Sequence, residues 1–242
     1  MNSFRKYFIL ILLNFLAIEV YCQTNLSTSS PIIIESTTLD TIQVNKISTS
    51  FSILWLNDTI RVNISNNGVK TDTSSVENPK RKGYFNSRGF FLSNEGAIQN
   101  CYCYALEKYF ENNETYAQNI FKQTTSIDRA SIEKILTNSF KIITEFSTKP
   151  RKNLKKAIPN DVMLGFVNKN GWTIHAAYYR DGVFYTKNGM FKPDTFKSLN
   201  KFLKVSYWDT EKIVIYKLDE DKIKSIYSKP DGSAGEQFPS RS

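Results

Sequence analysis

Hydrophobic positions along this chain change their period twice. In the stretch SFSILWLNDTIRVNIS, residues 50–65, Phe51, Ile53 and Trp55 alternate on one run and Ile60, Val62 and Ile64 on the next. With Asn57-Asp58 between the runs, the pattern predicts a β-hairpin. From residue 100 the period becomes helical. Asn100 is a good N-cap, and Cys101, Tyr104, Ala105 and Lys108 follow it at helical spacing. A second helix is expected over 115–122. A third is expected over 126–145, with Ile127, Ile132, Ile135, Leu136 and Ile143 as its buried stripe. After Pro159 the residues become β-branched and aromatic again, predicting strands at 161–167, 173–179, 183–189 and 212–218. Asn170-Gly171 and Asp181-Gly182 separate the first three as tight turns. Helices first and an antiparallel sheet second describe an α+β domain.

The segments between these elements predict the organisation. Arg5 and Lys6 precede an apolar run over 8–18 that only Asn14 interrupts. The run is shorter than the roughly 20 residues of a membrane span, so 1–22 is expected to be an export signal, with Val20 and Cys22 at the small-residue positions before the cut. Tyr21 disfavours the other reading, a lipoprotein anchored through Cys22. A periplasmic or secreted protein follows. Residues 23–83 read as a Ser/Thr-rich tether, the hairpin and a polar, basic linker at 70–83. Residues 84–228 form the main domain and 229–242 a disordered tail.

Charge adds a preference of partner. Lys and Arg number 32 against 23 Asp and Glu, a net +9; losing Arg5, Lys6 and Glu19 (+1) with the signal leaves +8. That balance suits anionic partners such as cell-wall polymers, lipid surfaces or nucleic acid. No nucleic-acid recognition motif is present, so specific nucleic-acid binding is set aside. Beyond Cys22 only Cys101 and Cys103 remain, which excludes a disulfide framework across the fold. His175 is the one histidine.

Those few residues carry the candidate chemistry. At the first turn of a helix, unpaired N–H groups and the positive end of the helix dipole stabilise a thiolate. The same groups can hold the oxyanion of an attacked carbonyl. Cys101 occupies that place, whereas Cys103 lies about 200° further round. The base available to Cys101 is His175. Counting back from the Asp181-Gly182 turn pairs Tyr179 with Phe184 and sets His175 opposite Asn188, within about 5 Å at Cβ. Thr186 shares that face and Lys187 points to the other. A Cys101–His175–Asn188 triad results, with N–H groups near Asn100 and Cys101, and the Gln99 or Asn100 side chains, as oxyanion donors. The competing readings are two core residues, a strained Cys101–Cys103 disulfide, and a metal site, for which C-x-C is poor spacing. No metal or cofactor is expected.

In order along the chain, Asn100-Cys101-Tyr102-Cys103-Tyr104-Ala105-Leu106, Asp161-Val162, His175-Ala176-Ala177 and Thr186-Lys187-Asn188-Gly189 resemble motifs of NlpC-like cysteine peptidases and amidases of the papain-like superfamily. The similarity covers roughly 90–218. It implies a helix carrying the cysteine packed on an antiparallel sheet carrying the histidine, with the N-terminal hairpin as an extension. It also implies Cys101 as nucleophile and His175 as base. For the third residue the family pattern favours Thr186 or Lys187, whereas the hairpin count favours Asn188. The implied substrate is a peptide or acyl amide, with peptidoglycan peptides as the family's frequent target. The alternative is a non-catalytic extracellular binding protein on the same scaffold, using the basic stretch 149–156 and aromatics such as Trp208.

Overall fold

The computed structural model describes residues 30–66, 83, 86–87, 91, 98–118, 120–149, 158–189 and 191–227. The expected export signal, nearly all of the linker, most of the basic stretch and the tail lie outside them. The chain divides into two units, Met1–Ile32 and Ile33–Ser242. Of the first only residues 30–32 are described, and the architecture below belongs to the second. Among the described residues no helix is long and apolar enough to cross a membrane.

After β1 (Ile32–Ile33) come β2 (Ser36–Val44), β3 (Ser48–Trp55) and β4 (Asp58–Ser65). Helix α1 (Cys101–Glu111) follows, then β5 (Tyr116–Ala117), the single turn α2 (Ile120–Gln123), β6 (Thr124–Ile127), α3 (Arg129–Ser139) and β7 (Phe140–Ser147). The remaining elements are β8 (Val162–Asn168), β9 (Thr173–Arg180), β10 (Val183–Thr186), β11 (Asp194–Phe196), α4 (Leu199–Val205), β12 (Thr210–Leu218) and α5 (Glu220–Tyr227). The fold is α+β, with a four-stranded sheet ordered β2-β3-β4-β6 and a six-stranded sheet ordered β11-β10-β9-β8-β12-β7. Every pairing within these two sheets is antiparallel.

Several elements differ from the expectation. The hairpin turn is Leu56-Asn57, one residue earlier than predicted, with φ of 48° and 67°. Left-handed Leu costs about 1–2 kcal/mol, but the Leu56 side chain is buried in the core, which offsets it. The shift sets Ile53 opposite Ile60 and Phe51 opposite Val62. The helix expected over 115–122 is a two-residue strand and one helical turn. The helix expected over 126–145 runs only through Arg129–Ser139, because FKIITEFS is dense in β-branched and aromatic residues and adds an edge strand instead. Ile143, assigned to a buried stripe, is exposed there.

One core joins the two sheets through α1. Ile53, Trp55, Ile60 and Val62 of the hairpin pack with Cys103, Leu106, Tyr109 and Phe110 of α1 and with Met163, Ala176 and Tyr178 of the large sheet. Trp55 sits edge-on to Phe110 and Phe121, at 6.1 and 5.4 Å between ring centroids. The hairpin on one side of the expected 83/84 boundary and α1 on the other therefore share their packing. A second cluster lies on the opposite face of the large sheet, where Leu164, Phe166 and Ala177 meet Leu199, Phe202 and Leu203 of α4.

Trp55→Ala is expected to cost about 3–5 kcal/mol. Urea unfolding followed by tyrosine fluorescence should move to a lower midpoint in one transition. An unchanged midpoint would mean that the hairpin folds apart from α1.

Candidate active site

Asn100 places Cys101. Its Oδ1 accepts from Cys103 N–H at 2.9 Å, capping α1 as expected. Its own N–H donates to the Thr125 carbonyl in β6 at 2.8 Å. Gln99, buried beside it, donates its side-chain amide to Glu107 Oε2 at 2.7 Å and to the Phe121 carbonyl at 3.1 Å. Its main-chain N–H reaches the Gly189 carbonyl at 3.3 Å. These bonds correct two expectations: the Gln99 amide and the Asn100 N–H are both committed, so neither is an oxyanion donor.

The large sheet opens where the cysteine arrives. β9 and β10 pair in the predicted register, Val183 with Arg180, Phe184 with Tyr179 and Tyr185 with Tyr178. Asp181 and Gly182, at φ of 50° and 79°, make the turn. Pairing with β9 then stops, while on its other edge β10 pairs Phe184, Tyr185 and Thr186 with Phe196, Thr195 and Asp194 of β11. Alternation along the hairpin aims the Ala176 N–H at the place Lys187 would occupy if the ladder continued. The Cys101 sulfur lies near enough to that N–H, and to those of Tyr102 and Cys101, for each to favour its thiolate. Cys101 is half-buried and Cys103 fully buried, and both are free thiols. Burial pushes the Cys101 thiol above its ordinary pKa, and the three N–H groups, Ala176 foremost, oppose that.

His175 faces away from α1. A bulge between Phe166 and Val167 on the β8–β9 pair leaves Ile174 extra, and Ile174 and His175 both turn to the α4 side. Such bulges re-aim side chains. The thiol and the imidazole therefore belong to opposite faces of the large sheet, the thiol with the α1-side core and the imidazole against Phe166 and Phe202. His175 Nε2 is hydrogen-bonded to Thr186 Oγ1. Tyr207 stacks on the imidazole at 4.0 Å and 19°, with Phe166 and Phe202 at 5.6 and 5.7 Å. The histidine is 1% exposed, and burial lowers its pKa to about 3.

Among the expected third residues, the structure puts Thr186 against the imidazole. Asn188 lies past the end of β10, where the register no longer holds, and its Oδ1 accepts from the Tyr207 hydroxyl at 2.5 Å. Lys187 is buried. Tyr207 was not singled out from the sequence; its signal was the aromatic pair Tyr207-Trp208, of which Trp208 is the exposed member. Tyr207 also feels the Cys101 charge, which together with a larger effect of burial raises its pKa, against the Asn188 bond that lowers it. Tyr207 thus touches the histidine and lies within electrostatic reach of the cysteine. Of the basic stretch 149–156 only Lys149 is described, its ammonium held by Glu211 at 2.6 Å. No group of three His, Cys, Asp or Glu among the described residues is placed to hold a metal ion.

Comparison with protein-family models, curated proteins and solved structures finds no match to this chain. The chemistry therefore rests on the geometry. The imidazole has its Nε2 engaged by Thr186, which leaves Nδ1 as its other nitrogen. In this closed arrangement thiol and imidazole are both neutral.

A depressed histidine pKa makes the folded state lose stability as pH falls. Below about 6.5 the unfolded chain binds a proton that the folded one refuses until about pH 3. That costs roughly 1.4 kcal/mol per pH unit over the window. The sole imidazole, followed by NMR, should stay neutral at pH 5; a midpoint near 6.5 would contradict its burial.

Proposed function

We propose that the protein is a cysteine hydrolase of the papain-like, NlpC-like kind, exported from the cell and cleaving amide bonds through an acyl-enzyme. One observation carries the reading. The Cys101 sulfur, at a helix N-terminus, lies by the Ala176 N–H, one residue beyond a histidine bonded to Thr186. A core cysteine and a core histidine have no need of that arrangement.

The roles follow from it. With its proton on Nε2, His175 donates to the Thr186 hydroxyl and takes the thiol proton on Nδ1. The sulfur then bonds to the carbonyl carbon, and the oxyanion forms beside the Cys101 and Tyr102 N–H groups. The imidazolium returns its proton to the leaving nitrogen as the C–N bond breaks. Water, deprotonated by His175, opens the thioester and restores the thiol. Thr186 is the orienting residue in this scheme, in place of Asn188. The +8 charge of residues 23–242 suits the carboxylates of cell-wall peptides, which makes these the first substrates to try.

Incubation with peptidoglycan fragments should release new amino termini, and mass spectrometry should find the acyl group on Cys101. Cys101→Ala is expected to abolish both, and His175→Ala to slow turnover by about 10²–10⁴. Thr186→Val should slow it by a smaller factor. Turnover that survives Cys101→Ala would overturn the thiol mechanism, and fragment binding without turnover, unchanged in Cys101→Ala and weakened steeply by salt, would favour the binding protein.

A further inference from the structure

We propose that Tyr207 is a latch on the thiol site: its ring closes over His175, Asn188 fastens its hydroxyl, and the site opens when that ring swings away. The inference rests on the hydrolase reading and assigns a control to the same site. Tyr207 is a positioning residue, acting through the imidazole.

The ring is placed to cover. It lies nearly parallel to the imidazole at 4.0 Å, while Phe166 and Phe202 close the other sides. With His175 only 1% exposed, no water or leaving group reaches its nitrogens in this arrangement. The ring also lies near enough to Cys101 to feel its charge, which links it to the thiol as well as to the imidazole.

The ring is also placed to move. Its main chain is pinned at each end, Ser206 N–H to the Phe202 carbonyl at 3.0 Å and Thr210 N–H to the Tyr207 carbonyl at 3.1 Å. The side chain itself is half-buried, and its hydroxyl is bonded to Asn188 Oδ1 at 2.5 Å. Next to it Trp208 is exposed, so the segment borders solvent. A side-chain rotation needs no rearrangement of α4 or β12. The acceptor comes from the piece of chain that leaves β9 beyond Thr186, the same departure that admits the cysteine. Opening of the slot and fastening of the latch therefore share one local cause.

The two cysteines supply the test. Full-length protein is treated with iodoacetamide at pH 7, and modification of each thiol is timed by mass spectrometry, with fully buried Cys103 as internal reference. Asn188→Ala and Tyr207→Phe each remove the fastening and keep the ring volume. Each is expected to speed Cys101 by about two- to tenfold, the weight of one neutral hydrogen bond. The double variant should gain no more than either single one. Tyr207→Ala should speed it further. Wild-type rates in the first two variants would overturn the latch, as would acceleration shared equally by Cys103, which marks loosening of the whole fold. Failure of the latch leaves peptide turnover in place; selective acceleration without turnover by any variant would retain the latch and sink the hydrolase reading.

Discussion

The approach of the Cys101 sulfur to the Ala176 N–H is the constraint on which the site depends. A strand N–H inside a sheet must find a partner, and a ladder that stops one pair early creates a vacancy. β10 pairs with β9 only as far as Tyr185, and the thiol lies by the N–H left beyond it. That placement brings a residue of α1 to the margin of a strand whose histidine faces the opposite side.

Holding the sulfur there requires the rest of the unit. The small sheet contributes through β6: it pairs with β4 of the hairpin, and its Thr125 carbonyl fixes Asn100, which caps α1. Gln99 fastens the same approach to Gly189 on one side and, through its side chain, to α1 and α2 on the other. A polar ladder runs back into the sheet, with Asn63 bonded to Ser50 and Ser126 and its carbonyl accepting from Thr125. The hairpin is thus part of the support of the nucleophile, not an appendage. Gly165 serves the helix from the other side. A Cβ there would lie 3.1 Å from the Tyr216 ring and 3.5 Å from Thr173 Cγ2, crowding the floor on which Tyr102 rests.

How far this was legible varies with the kind of signal. Local chemistry was readable: Asn100 caps α1, Asp181-Gly182 closes its hairpin, and β8, β9 and β12 follow their β-branched runs. Period was less safe, since Ile143 fits a helical stripe with Ile132, Ile135 and Leu136 on paper but takes the extended backbone of β7. The triad partner failed for another reason. A register count assumes that pairing continues, and it reached Asn188 only by extending a strand that ends at Thr186. Tyr207 was beyond any count, because a ring stacked on His175 from the α4–β12 connection is a purely tertiary contact.

Burial disfavours the charged form of both groups, so the thiolate is the scarce species and the rate of its reaction reports on what stabilises it. The most direct measurement is the rate of Cys101 alkylation from pH 5 to 9 in wild type and His175→Ala, with Cys103 as reference. If thiol and imidazole are one unit, the wild-type rate levels off below the free-thiol pKa of about 8.5, and the variant's keeps rising through it. Superimposable profiles would contradict the pairing and leave Cys101 a cysteine at the end of a helix.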